Sequence, residues 1–539
     1  MTVPPHLHRY RAAGVWRDVT LPELALARAD ATPDEHALIG REAMTFSQLY
    51  QDASALSSAL RDLGLTEGDR ICFQLPNWRE TAVINLAIAM IGGVAVPIVL
   101  IYRDAELQQM LADCGCRLVF LTESFRSFDY AAMADRIGEA LPRLEHVIFV
   151  RGARGTSGYD ALLSNGRGRT LGDLPRDPNA VKLLLYTSGT TGKPKGVLHS
   201  QNTISAVLDM SIRHWGISAG DALLMPSPVT HLTGYGYLEL PLLAGTSTLL
   251  MENWDASEAV KLIDAHEIVG TVSATPFLKE LADMAEAHGT QLPSLRFFAC
   301  GGAAVPPAVI RHANAVFGKS VTFRIFGCSE APLVTMGFLG ERDAELAATT
   351  DGAIREYDVL IRDDDGQSLP AGEEGEIVVR GPAMMLGYLD PEQTTAAIDD
   401  EGFYATGDIG LITPGNAIVV TGRKKDLIIR GGENISAKEI EDVLHQHPAV
   451  AEAAVVAMPH PRLGEGVCAF VVPVSDDAVD ASALIAFVRQ SGLATQKAPE
   501  QIRFVFDLPR TPTGKVRKDV LRRACSEQPA NGPASGRDA

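Results

Sequence analysis

Basic residues are in short supply: 48 lysines and arginines stand against 67 aspartates and glutamates, a formal charge of −19. Such a balance argues against a nucleic-acid surface, although a few lysines and backbone amides can still hold an anion locally. Cysteine is scarce as well. Cys72, Cys114, Cys116, Cys300, Cys328, Cys468 and Cys525 are odd in number and scattered, which suits a reducing compartment, and the cytoplasm is the expected location. Cys114 and Cys116 form a C-x-C with no second Cys or His pair nearby, so free buried thiols are expected there in place of a metal site. No long uninterrupted apolar run is present. The strongest candidate, TAVINLAIAMIGGVAVPIVL (81–100), is divided by Asn85, Gly92, Gly93 and Pro97, and reads as a core helix followed by a strand, with no membrane span. The opening MTVPPHLHRYRAAG lacks the apolar core of a secretion signal, and no internal repeat is visible.

What the chain does have is enough apolar residues, 46% of 539, to bury more than one core. From about residue 40 to 350, apolar strands such as RICFQLP, VAVPIVL, RLVFL, HVIFV, KLLLYT, STLLM, GTVSAT and LRFFAC alternate with helical patterns. That order predicts an α/β fold with mostly parallel sheets flanked by helices, whose ligands collect at strand C-terminal ends. Asp104 is expected to cap one of these helices. After about 350, short strands with acidic turns (YDVLIRDDDG, GEIVVRG, AIVVTGR) predict a smaller, barrel-like antiparallel part. A small α+β unit of about 100 residues follows. In it Ser436 and Glu439 are expected to form a capping box, with Ile440, Val443 and Leu444 on one helix face. The expected organisation is a large multi-subdomain N-terminal domain, 1–424, a small mobile C-terminal domain, 425–525, and a disordered tail, 526–539, rich in small and polar residues.

The most informative stretch is LLLYTSGTTGKPKGV (183–197), a buried strand that breaks into hydroxyls, glycines and lysines. A P-loop is excluded, because Gly189 and Gly192 are two residues apart and Lys193 precedes Pro194, which cannot enter the helix that motif requires. Glycines that let backbone N–H groups close on an anion, next to lysine charge, point to phosphate; a plain solvent loop is the competing reading.

YTSGTTGKPKGV resembles the phosphate-binding signature of the adenylate-forming enzymes, the superfamily of acyl- and aryl-CoA synthetases, luciferases and peptide-synthetase adenylation domains. FGCSE (326–330), YATGDIG (404–410), GRKKDLIIRGGEN (422–434) and LPRTPTGKVRK (508–518) resemble its other segments, in order. The resemblance implies an AMP-forming acid–thiol ligase: a carboxylate attacks the α-phosphate of ATP, giving acyl-AMP and pyrophosphate, and a thiol then displaces AMP. It further implies that Thr187, Ser188, Gly189, Thr190, Thr191 and Gly192 hold the β- and γ-phosphates with Lys195 as a nearby cation, and that Glu330 is the Mg²⁺ carboxylate. Phe326 and Gly327 would lie against adenine, and Ser329 by the α-phosphate. Phe326 stands where tyrosine is common and Ser329 where threonine is usual. Asp408 would accept the ribose hydroxyls beside Arg423, and Lys515 would bridge the carboxylate and the α-phosphate. Lys425 would be the hinge, and Gly431 and Gly432 would line a pantetheine tunnel.

For the acid, the resemblance places His231 at a gate and Pro276, Phe277, Gly301, Gly302, Ala303 and Arg324 around the pocket, with Phe298 as a further wall. The wording looks closest to cyclohexanecarboxylate-CoA ligases, with medium-chain and benzoate-type ligases as neighbours, so a cyclic or medium-chain acid is expected. After Thr350–Gly352 the chain reads AIREYD where the family tends to show a Pro–Gly turn. Coenzyme A is the expected thiol; a stand-alone adenylating enzyme loading a carrier-protein pantetheine is the alternative, and a nucleotide-binding pseudo-enzyme a more distant one. The setting of Lys515 resembles that of lysines modified by acetyltransferases. Monomer and homodimer both stay open.

Overall fold

Apolar strands alternating with helices build two seven-stranded sheets. This computed structural model describes residues 8–138, 140–169, 171–187, 194–302, 305–430, 433–475, 480–510 and 515–527. One sheet runs in the order Thr322–Arg324, Phe297–Cys300, Gly270–Ser273, Ala222–Met225, Ser247–Leu250, His36–Ile39, Met44–Thr45; the other runs Gly387–Tyr388, Lys195–Ser200, Val181–Thr187, Val94–Pro97, Arg70–Gln74, Leu118–Thr122, His146–Val150. Most pairings are parallel, for example Phe73 with both Pro97 and Phe120, and Thr271 with Phe298. Such strands are covered on both faces, which is why Leu118–Thr122 is buried throughout and reads as an unbroken apolar run.

The 81–100 stretch folds as expected. Its first part is the helix Arg79–Met90 and its second the strand Val94–Pro97, with Gly92 at φ +73° between them. No helix among the described residues is long and apolar enough to cross a membrane. Asn85, the polar break in that run, is 2% exposed and accepts a 2.7 Å hydrogen bond from the Tyr235 hydroxyl. Cys72, Cys114 and Cys116 are buried free thiols, as expected, with the first two sulfurs 3.9 Å apart.

Two side chains join parts of the first sheet pair. Asn77, which follows the strand Arg70–Gln74, donates from Nδ2 to the carbonyls of Ser227 and Met251, both at 2.9 Å, and accepts from the Val229 amide at 2.9 Å. Lys182, near the start of the strand Val181–Thr187, is paired with the buried carboxylate of Glu239 in the helix Leu232–Ala244 and donates to Gln201 at 2.8 Å. Burial pushes the Lys182 ammonium below its ordinary pKa, and Glu239 opposes that shift.

The chain divides into two compact units, Met1–Val359 with Val378–Ala405, and Leu360–Ile377 with Thr406–Ala539. Asp358–Arg362, Gly375–Arg380, Tyr404–Ile412 and Ile418–Arg423 form a four-stranded sheet in that order. The acidic turn after the first of these closes on Asp363, whose carboxylate accepts from the Gln367 amide at 2.8 Å. A five-stranded sheet in the second unit contains Ile428–Arg430, Glu433–Ile435, Val450–His460, Gly464–Pro473 and Gln501–Phe504. Ile440, Val443 and Leu444 pack as one face into its core with Ile428, Val455, Val467 and Leu484.

Three local expectations need correction. Asp104 is not a cap; Arg103 holds that position, and Asp104 begins the helix with its carboxylate engaged by Arg136. No capping box forms at Ser436, whose hydroxyl donates to the Thr421 carbonyl, while Glu439 pairs with Lys497. The helix Lys518–Glu527 runs into the segment expected to be a disordered tail, and residues 528–539 lie outside those described.

Candidate functional site

The strands Val181–Thr187 and Lys195–Ser200 pair antiparallel with Thr187 opposite Lys195, so the hairpin brings both to its open end. Leu183, Leu184 and Leu185 anchor it in the core. Ser188, Gly189, Thr190, Thr191 and Gly192, between the strands, lie outside the described residues. Gly196 is required by packing, since a Cβ there would sit 2.8 Å from Leu184 Cδ1 and 3.0 Å from Leu389 Cβ.

Beyond Lys195 the sheet adds the strand Gly387–Tyr388, registered Val197 to Tyr388. This places the Tyr388 ring 5.0 Å from Lys195 Nζ, in cation–π range. The Tyr388 hydroxyl donates to Glu330 Oε1 at 3.0 Å, and the Glu330 carbonyl accepts from the Met385 amide at 2.8 Å. Lys195, Tyr388 and Glu330 thus form one chain of contacts. Glu330 is 8% exposed, and its Oε2 accepts no hydrogen bond among the described residues.

FGCSE is held from behind. His199 on the hairpin is fully buried, with Nε2 2.8 Å from the Ser329 carbonyl and Nδ1 3.1 Å from the Thr203 hydroxyl. Burial pushes its pKa down to about 4, so the ring is neutral at pH 7. A carbonyl can only accept, which assigns the proton to Nε2. The Phe326 amide donates to Thr335 Oγ1 at 2.8 Å, and a Cβ on Gly327 would lie 2.6 Å from the Leu333 nitrogen, so the turn admits only glycine. Arg324 is buried, with Nε 3.0 Å from Asp351 Oδ1 and Nη1 donating to the Ala348 carbonyl at 3.2 Å. Its guanidinium is thereby engaged in the scaffold beneath FGCSE.

The residues assigned to the acid pocket are less gathered. His231 is the N-cap residue of the helix Leu232–Ala244, with its amide donating to the Pro228 carbonyl at 3.0 Å. The Gly301 amide donates to the Ser273 carbonyl at 3.2 Å, and a Cβ there would meet the Ile325 carbonyl at 2.8 Å. Gly302 adopts φ +80° with open space around it, and Ala303 lies outside the described residues. The Phe277 ring tilts against Trp254 at 5.0 Å. Phe298, expected as a pocket wall, is 1% exposed and enclosed in the hydrophobic core with Leu281 and Ile310.

In the second unit, Asp408 and Arg423 are cross-strand partners, with Arg423 Nε 2.6 Å from Asp408 Oδ1. Gly407 provides φ +71° in the T-G-D turn, and the Thr406 hydroxyl accepts from the Asp408 amide at 3.1 Å while donating to the Ile377 carbonyl at 2.8 Å. Burial raises the Asp408 pKa; the cations Arg423, Lys515 and Lys425 pull it back. Arg423 is thus in contact with Asp408, while Lys425 and Lys515 act on it through their charge. Lys425 lies in the short turn Lys424–Asp426, and its carbonyl accepts from Arg522 Nη2 at 3.3 Å while Asp426 pairs with the same guanidinium. Gly431 and Gly432 lie outside the described residues.

Residues 26–389 match the AMP-binding enzyme family, and residues 439–515 match the AMP-binding enzyme C-terminal domain. The chain belongs to the AMP-binding enzyme family. The medium-chain fatty-acid–CoA ligase of Escherichia coli K12 is 33% identical over 522 residues, covering 95% of this chain and 92% of the relative. The vibriobactin-specific 2,3-dihydroxybenzoate-AMP ligase of Vibrio cholerae is 32% identical over 522 residues, covering 96% and 95%. The ATP-bound crystal structure of MatB from Rhodopseudomonas palustris superposes with a TM-score of 0.82 at 27% identity, covering 94% of this chain and 99% of that one. This AMP-binding enzyme is an adenylate-forming acid ligase, and ATP use follows from its family.

Within this AMP-binding enzyme, sequence reasoning missed Tyr388, His199 and Asn77. Tyr388 sits in an ordinary-looking GYLD, and His199 continues the apolar strand KGVLHS. Neither carries a motif, because each acts through a partner more than fifty positions away: Glu330 for Tyr388 and Ser329 for His199. A histidine that ends an apolar strand was the one available signal, since a buried imidazole needs partners for both nitrogens.

Proposed function

We propose that the protein is an ATP-dependent acid–CoA ligase acting on a medium-chain or cyclic carboxylic acid. The reaction forms acyl-AMP and pyrophosphate, then the CoA thioester with release of AMP. The observation that carries the reading is the buried Asp408 paired with Arg423 at 2.6 Å, with the charges of Lys425 and Lys515 also acting on it. Those cations serve a reaction between two anions, where the protein contributes charge neutralisation and alignment instead of covalent work.

Asp408 accepts the ribose hydroxyls, and Arg423 favours its ionised form against the effect of burial. Lys515 neutralises the charge shared by the carboxylate and the α-phosphate. Thr187 and Lys195 hold the phosphates from the ends of their loop. Glu330 suits Mg²⁺, since it offers a hard oxygen on a buried carboxylate. Bound Mg²⁺ supplies charge neutralisation on the phosphates. Lys425 serves as the hinge and Gly431 and Gly432 serve the thiol step, while acetylation of Lys515 silences the first step by removing its charge.

Coenzyme A and the acid class are supported by the 33%-identical medium-chain ligase. A second reading, transfer to a carrier-protein pantetheine, draws on the 32%-identical 2,3-dihydroxybenzoate-AMP ligase. Pyrophosphate release screened over linear, cyclohexane and aromatic acids, with CoA or a pantetheinylated carrier as acceptor, tests both. Turnover with a medium-chain or cyclic acid and CoA is expected; thioester formation on the carrier alone supports the second reading.

A further inference from the structure

Tyr388 touches both chemical ends of the phosphate site while belonging to none of its motifs. Its hydroxyl donates to Glu330 Oε1 at 3.0 Å and its ring lies 5.0 Å from Lys195 Nζ. Because that proton goes to the carboxylate, the Tyr404 hydroxyl, 3.4 Å away, is the donor to the Tyr388 oxygen. The arrangement is rigidly held. Tyr388 is 3% exposed and opposite Val197 in the sheet, and its amide donates to Thr394 Oγ1 at 2.8 Å. The neighbouring Gly387 adopts φ +148° where a Cβ would lie 2.9 Å from that same Thr394 oxygen.

We propose that Tyr388 is a positioning residue for the metal carboxylate: its hydroxyl occupies Oε1 of Glu330, leaving Oε2 to face the cation, while its ring steadies the Lys195 ammonium. The two roles use different parts of one side chain. A hydrogen bond to a ligating carboxylate fixes its orientation, and such partners commonly matter tenfold or more for metal affinity. A ring face holds a cation without any hydroxyl. The inference rests on the reading of Glu330 as the Mg²⁺ carboxylate.

The two parts separate by substitution. Tyr388→Phe removes the hydroxyl and keeps the ring; Tyr388→Leu removes both. ATP affinity is measured by calorimetry with and without Mg²⁺, and the Mg²⁺ concentration for half-maximal pyrophosphate release is measured alongside. Tyr388→Phe is expected to raise the half-saturating Mg²⁺ roughly tenfold and to leave metal-free ATP affinity unchanged. Tyr388→Leu is expected to weaken metal-free ATP binding as well. A Tyr388→Phe enzyme within about twofold of wild type in its Mg²⁺ requirement overturns the inference. Should that variant not fold, Tyr404→Phe decides: a shift of about threefold in the same direction supports the hydroxyl chain, and no shift overturns it. Glu330→Ala separates the two levels. If it loses the Mg²⁺ enhancement of ATP binding while Tyr388→Phe does not, the positioning role alone fails; if it retains the enhancement, the reading of Glu330 fails too.

Discussion

Asp408 and Arg423 face each other across antiparallel strands, the guanidinium Nε 2.6 Å from a carboxylate that is 3% exposed. Burial favours the neutral acid and Arg423 favours the carboxylate, so the pair sets the charge state of the group to which the proposed function assigns the ribose hydroxyls. Arg423→Ala should raise the Asp408 pKa further. Its KM for ATP is expected to fall more steeply with rising pH than that of wild type, because deprotonation restores the acceptor. Arg423→Lys keeps a charge and should lie between them. Parallel pH profiles for wild type and Arg423→Ala would count against the pairing.

The proposed function assigns Lys515 to one half of the reaction. Lys515→Ala is expected to slow acyl-AMP formation roughly 100- to 1000-fold and to leave thioester formation from supplied acyl-AMP largely intact. Single-turnover assays of each half measure this, and equal loss in both would refute the division.

His199 couples pH to stability. Its pKa of about 4 in the fold lies below the ordinary value of 6.5, so the native state resists protonation that the unfolded chain accepts. The stabilisation is fully present above pH 6.5 and is lost as pH falls toward 4, amounting to about 3 kcal/mol. A His199→Gln enzyme, which can still donate to the Ser329 carbonyl, should lose less stability than wild type over that window. Urea melts between pH 7 and 4 provide the comparison.

The buried Lys182–Glu239 pair predicts a non-additive result. Lys182→Met leaves the Glu239 carboxylate without its cation and should cost about 3–5 kcal/mol. Adding Glu239→Gln removes the stranded charge and should recover part of that loss in urea denaturation at pH 7. A double variant less stable than Lys182→Met would contradict the argument.

The extent to which these features were legible depends on how local their causes are. The two large sheets follow from apolar runs and their spacing, so TAVINLAIAM and VAVP fold as read. Thr187 and Lys195 were legible only through the resemblance carried by YTSGTTGKPKG; the antiparallel pairing that sets them opposite each other was not read from the sequence. The capping box at Ser436 failed because the Thr421 carbonyl, fifteen positions earlier, outcompeted the local partner. The hidden role of Tyr388 has the same origin: the Val197 register that brings it to Glu330 is made by a strand of two residues, too short to announce its partner. Arg324 read as a pocket residue, and its ion pair with Asp351, twenty-seven positions on, was not legible because nothing local to either residue announces the other.

Asn77 has a consequence for how the protein comes apart. One amide, 5% exposed, follows a strand of one seven-stranded sheet and joins the ends of two strands of the other through Ser227, Val229 and Met251. Separating the sheets would strand a donor pair and an acceptor in the interior. The first unit should therefore melt cooperatively, and brief protease treatment should release no fragment that corresponds to a single sheet.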